Sequence, residues 1–367
     1  MISKEDIDSI LSGYDLKRIK IGTICSHSAL QIFHGAKLEG FSTLGICARN
    51  RSFVYEAFPL AKPNEFLLVD DFKEILNPNL QNEMKKNNVI IIPHGSFVEY
   101  IGPDALGNTF NVPMFGNRRT LEWEGNREKQ NNWLTKAGLR LPKEYKDPSE
   151  IDGRVFVKFS GAKGGKGFYT ANSEKEYYEK LEEKIKKGVV ERKDSLKTSI
   201  QEFLSGVRYY PHYFYSLFEG RGLKVENGTL ELLSMDKRIE PIDESYRGLP
   251  NVPEEFYDYT VTGNQPVIAR ESLLPEVFEI GVKAVDASIK LFPPGMLGAF
   301  SLETIYQPEK GFTVFEVSAR IVAGTNLYPN GSPYSFYLFR EPMSTGRRIA
   351  RELREAIKRK SLEKIVF

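Results

Sequence analysis

The chain has 367 residues, enough for two or three domains, and its 41% hydrophobic and 27% charged residues are the balance of a folded globular protein. Lys and Arg number 51 against 49 Asp and Glu, and the resulting net charge of +2 argues against a broad nucleic-acid or anionic-membrane surface. Two cysteines, Cys25 and Cys47, exclude a disulfide scaffold and read as small buried thiols in a reducing cytosol. His27, His34, His94 and His212 show no zinc spacing. The acidic start MISKEDIDSI lacks a signal-peptide core, and the apolar runs are far too short to span a membrane. A soluble cytoplasmic protein is expected.

The first part of the chain alternates short apolar runs with helical patterns. Strands are predicted at 19–24, 43–48, 66–69 and 89–93, with helices at 27–39 and over part of 71–86. This alternation predicts a parallel sheet with crossovers, whose ligands gather where loops leave the carboxyl ends of strands. Two such loops carry Cys25-Ser26-His27-Ser28 and His94-Gly95-Ser96. Small hydroxyls, a histidine and free backbone N–H groups at a helix start favour an anion. Plain N-capping by Ser26 or Ser96 is the competing reading. Next, 112–119 (VPMFGNRR) reads as a turn followed by basic residues, and 121–137 as a helix ended by Gly138. Pro142 and Pro148 mark a connection, and a domain boundary is placed near 120.

Residues 154–160 alternate as a strand, and a loop with Gly161, Lys163, Gly164, Gly165, Lys166 and Gly167 joins it to a second extended stretch at 168–171. Glycine lets a backbone approach phosphate oxygens closely. The spacing matches neither the P-loop nor the dinucleotide fingerprint, which leaves a two-stranded phosphate flap or a plain hairpin turn. Lys158, inside an apolar strand, calls for an anionic partner. A charged helix at 174–187 follows, then strands at 198–204, 209–218 and 231–235, and an irregular insert at 243–260. The aromatic runs 208–218 and 328–339 suit either an interface or a core. A helix is predicted at 275–292, a hairpin at 298–306 and 312–317, and a charged amphipathic helix at 344–360. Glu303 and Glu316 occupy apolar runs on the two hairpin strands. On one face they would repel unless a cation lay between them, and magnesium favours a carboxylate pair with phosphate oxygens. The alternative is one glutamate facing solvent or pairing with Arg320.

Lys158, the 161–167 loop, the stretch Gln201-Glu202-Phe203-Leu204, and Glu303 with Glu316-x-Ser318-x-Arg320 follow the order of the ATP-grasp superfamily. More closely, KLEGFSTLGIC, PHGSF, VPMFGNRR, VKFSGAKGGKGFY, LLSMDKR, RESLLPEVFE, PPGM and FEVSARIVAGTN resemble the archaeal formate-dependent formylaminoimidazole-carboxamide ribotide synthetase family, over residues 1–355. The resemblance implies an α/β ATP-grasp fold at 121–367, with a flap subdomain at about 140–205, preceded by a Rossmann-like domain at 1–120. It implies a homo-oligomeric C–N ligase of purine biosynthesis. Its substrates would be ATP, formate and 5-aminoimidazole-4-carboxamide ribonucleotide (AICAR), its intermediate formyl phosphate, and its metal Mg2+ (or Mn2+).

By position, the resemblance gives the metal to Glu303 and Glu316. The nucleotide goes to Arg127, Lys158, the loop residues Gly161, Lys163, Gly164, Gly165, Lys166 and Gly167, and the hinge Gln201, Glu202, Phe203 and Leu204. The ribotide and formyl phosphate fall to His27, Ser28, His94, Gly95, Ser96, Asn117, Arg118, Asp236, Arg238 and Asn264. Arg320 and Asn326, with Lys158, would act on the transferring phosphoryl group. Two positions depart from the pattern. Ser318 stands where a metal-binding Asn is usual, and Arg208 where a ribose-binding Glu is common. A paralogous ligase for another phosphorylated amine or acid, and a nucleotide-binding protein without chemistry, are the alternatives.

Overall fold

Short β-branched runs in the first part of the chain form β1 (Lys20–Ile24), β2 (Ser42–Ala48), β3 (Glu65–Val69) and β4 (Val89–Ile91). They pair in parallel in the order β3-β2-β1-β4. Parallel neighbours need crossovers, and the helices Ala29–Leu38 and Pro78–Lys86 provide two of them. The computed structural model describes residues 2–159, 168–188, 190, 198–218, 220–241 and 261–367. The loop residues Gly161, Lys163, Gly164, Gly165, Lys166 and Gly167, and the whole of the 243–260 insert, lie outside the described residues.

A second, antiparallel sheet consists of β5 (Glu144–Tyr145), β6 (Val155–Phe159), β7 (Phe168–Ala171) and β8 (Thr198–Glu202), in the order β5-β8-β6-β7. Val155, Val157 and Phe159 are buried with Tyr177 and Leu181 of the helix Glu174–Lys186. Period-two alternation therefore turns Phe156 and Lys158 to the opposite face.

The third sheet holds β9 (Val207–Ser216), β10 (Leu223–Val225), β11 (Gly228–Ile239), β12 (Gly263–Pro266), β13 (Gly298–Gln307) and β14 (Gly311–Ser318). It is antiparallel in the order β10-β11-β9-β13-β14, with β12 added to β11. On one face Tyr213, Met235, Leu302 and Val317 pack with Trp133 and the helix Leu274–Leu291. The opposite face carries a polar strip. The register aligns His212 with Ser234 and Ser301, Arg238 with Asn264, and Glu303 with Glu316. Phe214, Leu233 and Ala299 join Ile21 and Ile90 of the first sheet in a shared apolar cluster.

Some expectations need correction. The helix expected over 121–137 is two, Arg119–Gly125 and Arg127–Lys136, broken at Asn126, whose side chain accepts the Lys129 N–H at 3.0 Å. Of the aromatic runs that suit either interface or core, 208–218 is core over 210–216, whereas Phe336 and Tyr337 in 328–339 are exposed. A helix at Lys4–Ser12, capped by a reciprocal Ser3–Asp6 pair, occupies the stretch read only as acidic. Among the described residues, no helix is long and apolar enough to cross a membrane.

The helix Thr345–Lys358 crosses Ala29–Leu38 at Gly35 and Gly346, and Glu39 accepts Arg347 Nε and Arg351 Nη2, each at 2.7 Å. A Cβ on Gly35 would lie 2.2 Å from the Arg347 nitrogen, so only a backbone shift can relieve it. Gly35→Ala should therefore cost about 1–3 kcal/mol or more in urea unfolding. An unchanged midpoint would refute this close crossing.

Candidate active site

The polar strip converges on two carboxylates. Glu303 and Glu316 are direct cross-strand partners on β13 and β14, with a bulge just after Glu303. Cross-strand side chains on one face stand about 5 Å apart at Cβ. Glu303 is buried and takes a bidentate ion pair from Arg238, with Nη1 to Oε2 at 2.8 Å and Nη2 to Oε1. Arg238 also lies over the Tyr210 ring, 4.5 Å from its centroid. The Ser318 hydroxyl is 3.4 Å from Glu303 Oε1. Among the described residues Glu316 has no such partner. The facing Glu303 carboxylate, then burial, push it up to about 7, although it is open to water within the cleft, which screens part of the effect.

Lys158 reaches the same place from the second sheet. It lines an open cleft together with Phe156, Gln201, Glu202, Phe203, Leu204, Arg208, Tyr210, Arg238, Glu240 and Glu303. An adjoining hollow holds Arg127, Glu124, Glu144, Lys158, Gln201 and Glu316. Burial lowers the Lys158 amine below its ordinary value, and Glu316 opposes this. Gln201 donates to Glu144 at 3.0 Å. The structure thus gathers Lys158, Arg127, the 201–204 stretch, Arg238 and both glutamates around one cleft.

Beyond Glu303 lies the end of the first sheet. Arg320 Nη2 pairs with buried Glu124 Oε1 at 2.9 Å, and Glu124 Oε2 accepts the Ala319 N–H at 2.9 Å. The Arg320 Nε is buried without a partner among the described residues. Burial raises Glu124, against the pull of Arg320. A Cβ on Gly95 would fall 3.2 Å from His27 Nε2 and 3.4 Å from Arg320 Nη2, so a residue without a side chain lets these three groups converge. His27 holds a left-handed φ of 50°. Asn326 secures it by donating to the His27 carbonyl at 3.0 Å and accepting from Gln31 at 2.7 Å. Desolvation within the cleft, with His94, Arg320 and Arg238, holds His27 below its ordinary value, although its side chain is open to water, which screens part of the effect.

Several residues expected to touch ligand are engaged elsewhere. His94 is fully buried, with Nε2 donating to the Ile24 carbonyl at 2.9 Å and Nδ1 accepting the Ser96 N–H at 3.2 Å. It stacks on His27, centroids 5.6 Å apart, and supports that ring rather than offering an edge. Ser28 is buried and donates to the Val322 carbonyl at 3.2 Å. Asn117 donates to the carbonyls of Phe292 and Gly295, both at 3.0 Å. The Arg118 guanidinium binds the carbonyls of Leu106, Phe110, Val112 and Phe367. Asp236 is buried and takes bonds from His212 and Asn264. Asn326 acts as the clip just described, with its amide spent on the chain itself. Sequence reasoning passed over Glu124 and Glu240. Glu240 pairs with Arg208 at the cleft. Nothing in its string marked it, because only the fold brings it opposite position 208.

The raised value of Glu316 carries a sign. Between its free value of 4.5 and about 7, the folded state binds a proton that the unfolded state has released, so stability falls as pH rises through that window. Glu316→Gln should thus stabilise the metal-free protein at pH 8, and the gain should shrink by pH 5. Urea midpoints at the two pH values measure this, and a gain larger at pH 5 would contradict it.

Residues 176–367 match a family model described as a domain of unknown function (DUF1297), and residues 21–145 match a protein of unknown function (DUF1246). The chain is 53% identical, over the whole of both chains, to the 5-formaminoimidazole-4-carboxamide-1-(beta)-D-ribofuranosyl 5'-monophosphate synthetase of Korarchaeum cryptofilum. A crystal structure of the IMP biosynthesis protein PurP from Thermococcus kodakaraensis is 32% identical, with a TM-score of 0.73 over 95% of this chain and 100% of that one. The N5-carboxyaminoimidazole ribonucleotide synthetase of Thermotoga maritima shares the fold at 15% identity, with a TM-score of 0.57 over 91% of this chain and 75% of that one. The polar strip, the cleft beneath it and these likenesses agree: the chain has the ATP-grasp fold and belongs to the 5-formaminoimidazole-4-carboxamide ribonucleotide synthetase family.

Proposed function

We propose that this chain is a C–N ligase that formylates AICAR with formate and ATP, releasing ADP and phosphate. The observation that supports this most is the continuity of one wall. Lys158 and the Glu303–Glu316 pair line the cleft and its adjoining hollow, Arg238 and Glu124–Arg320 carry on from them by ion pairs, and Gly95 lets Arg320 and His27 approach. A phosphoryl donor at one end and an amine acceptor at the other would share that wall.

The chemistry needs such an arrangement. A formate oxygen attacks the γ-phosphorus of ATP and ADP departs, giving formyl phosphate. The exocyclic amine of AICAR then attacks the formyl carbon, the C–O bond to phosphate breaks with its electron pair going to phosphate, and the amine loses one proton. Positioning and charge neutralisation account for most of the catalysis. Lys158 and Arg127 meet the phosphates, and Gln201 to Leu204 form the wall for adenine. Glu240 offers the ribose hydroxyls a carboxylate that position 208 does not. The unpartnered Arg320 N–H and the His27 edge would face the formyl phosphate and the ribotide. The 161–167 loop would cover the phosphates and exclude water.

The donor set fits a divalent cation. Magnesium commonly takes one or two carboxylates and completes its shell with phosphate oxygens and water. Glu303 and Glu316 offer the carboxylates, and the cost of facing them without a counter-ion is visible in the raised Glu316. Such a cation neutralises phosphate charge when bound. Exposed Phe336 and Tyr337 suit a homo-oligomer, and the free buried cysteines suit a reducing cytoplasm.

ADP release, followed while ATP, formate and AICAR are omitted in turn, tests the reading. Full turnover should need all three. Glu316→Gln should abolish it while the fold persists. His27→Ala should raise the AICAR KM by about tenfold or more, the scale of one lost polar contact, and leave slow formate-dependent ATP cleavage. Turnover indifferent to formate, or unchanged in both variants, would overturn the proposal.

A further inference from the structure

His212 has no part in the chemistry above, yet it is buried on the same polar strip. Its Nε2 donates to Asp236 Oδ1 at 2.7 Å, because a carboxylate can only accept. Its Nδ1 meets the Ser234 hydroxyl at 2.7 Å. The other Asp236 oxygen, Oδ2, takes the Asn264 amide nitrogen at 2.6 Å. These three bonds tie β9, β11 and β12 together on one face of the sheet.

Asp236 also adjoins the ribotide end. A Cβ on Gly324 would lie 2.3 Å from Asp236 Oδ1, so the backbone of the 323–327 turn presses directly on this carboxylate. Two residues on, Asn326 holds the His27 carbonyl. Asp236 therefore stands where the His27 turn meets β12.

The chain of bonds has a consequence for polarity. An amide can turn either its oxygen or its NH2 toward a neighbour, and side-chain size alone does not decide which. A buried acceptor-only carboxylate decides it: Asn264 must point its NH2 at Asp236. Among the described residues its carbonyl oxygen and second N–H have no other partner, which leaves them for a ligand. A partner that presents NH2 groups, as the amine and carboxamide of AICAR do, would meet an acceptor there.

We propose that His212 is a positioning residue that acts through Asp236 to fix the Asn264 amide with its carbonyl oxygen toward the ribotide. This rests on the AICAR reading above. Without the donor at position 212, Asp236 is left partly unsatisfied in a buried site, and its hold on Asn264 loosens.

A double-mutant cycle read by calorimetric AICAR binding tests it. His212→Leu and Asn264→Ala should each weaken AICAR binding by about tenfold, the worth of one well-made polar contact. The double variant should be no weaker than either single one. Binding of a non-hydrolysable ATP analogue should stay within about twofold of the parent, and His212→Gln, which restores a donor toward Asp236, should recover most of the lost AICAR affinity. A general loss of fold would instead weaken both ligands. Should His212→Leu fail to fold, Asp236→Asn keeps the shape, removes the acceptor-only oxygen and takes its place in the cycle. Additive losses, or AICAR affinity unchanged at position 212, would overturn the positioning role while leaving the AICAR reading standing. A parent chain that does not bind AICAR would overturn both.

Discussion

Two carboxylates facing each other across adjacent strands are the constraint on which the rest of the site depends. Glu303 and Glu316 sit where register forces them together, and a sheet cannot swing its side chains apart as a loop can. One is neutralised by Arg238 from β11, and the other feels Lys158 from a different sheet. Around them Arg238 pairs with Glu303 and Arg320 with Glu124, while Lys158 and Arg127 share a hollow with Glu316. In the proposed reaction a nucleotide triphosphate would bring several further negative charges to this set, and a divalent cation on the carboxylate pair would help to meet them.

Much of the architecture was legible because it is local. Alternation gave the hairpin carrying Glu303 and Glu316, and short apolar runs gave the parallel sheet. The break at Asn126 was not seen, because Asn is tolerated inside a helical pattern and becomes a cap only when the chain turns there. The site was legible to a different degree. A lysine on an apolar strand and paired carboxylates announce themselves, since each is costly without a partner. His94, Asn117 and Arg118 looked equally functional, but their polar atoms are claimed by buried backbone carbonyls and amides. Which loops end with orphaned carbonyls is a tertiary fact, invisible to one stretch of sequence. Glu124, Glu240 and His212 were passed over for the opposite reason. Nothing in their strings is unusual, and only register and crossing place Glu124 and Glu240 at the cleft and His212 on the polar strip.

Rigidity at the His27 turn comes from outside the site. Helix Thr345–Lys358 locks onto Ala29–Leu38 through two glycines and the buried Glu39, and Ala29–Leu38 starts one residue after Ser28. Gln31 on that helix bonds Thr325 and Asn326, so the turn that clips His27 is tied to the same helix pair. The left-handed backbone at His27 persists because these contacts over-determine it. The His27 turn thus inherits its precision from glycines and ion pairs on the helices behind it.

The most direct measurement is a titration of Mn2+ by electron paramagnetic resonance, with and without a non-hydrolysable ATP analogue, in the parent and in Glu316→Gln. The account predicts Mn2+ binding that tightens sharply when the nucleotide analogue is present and is lost in the variant, while the analogue itself still binds. Equal Mn2+ binding by parent and variant would contradict the carboxylate pair as the seat of the cation, and with it the charge balance on which this view of the site is built.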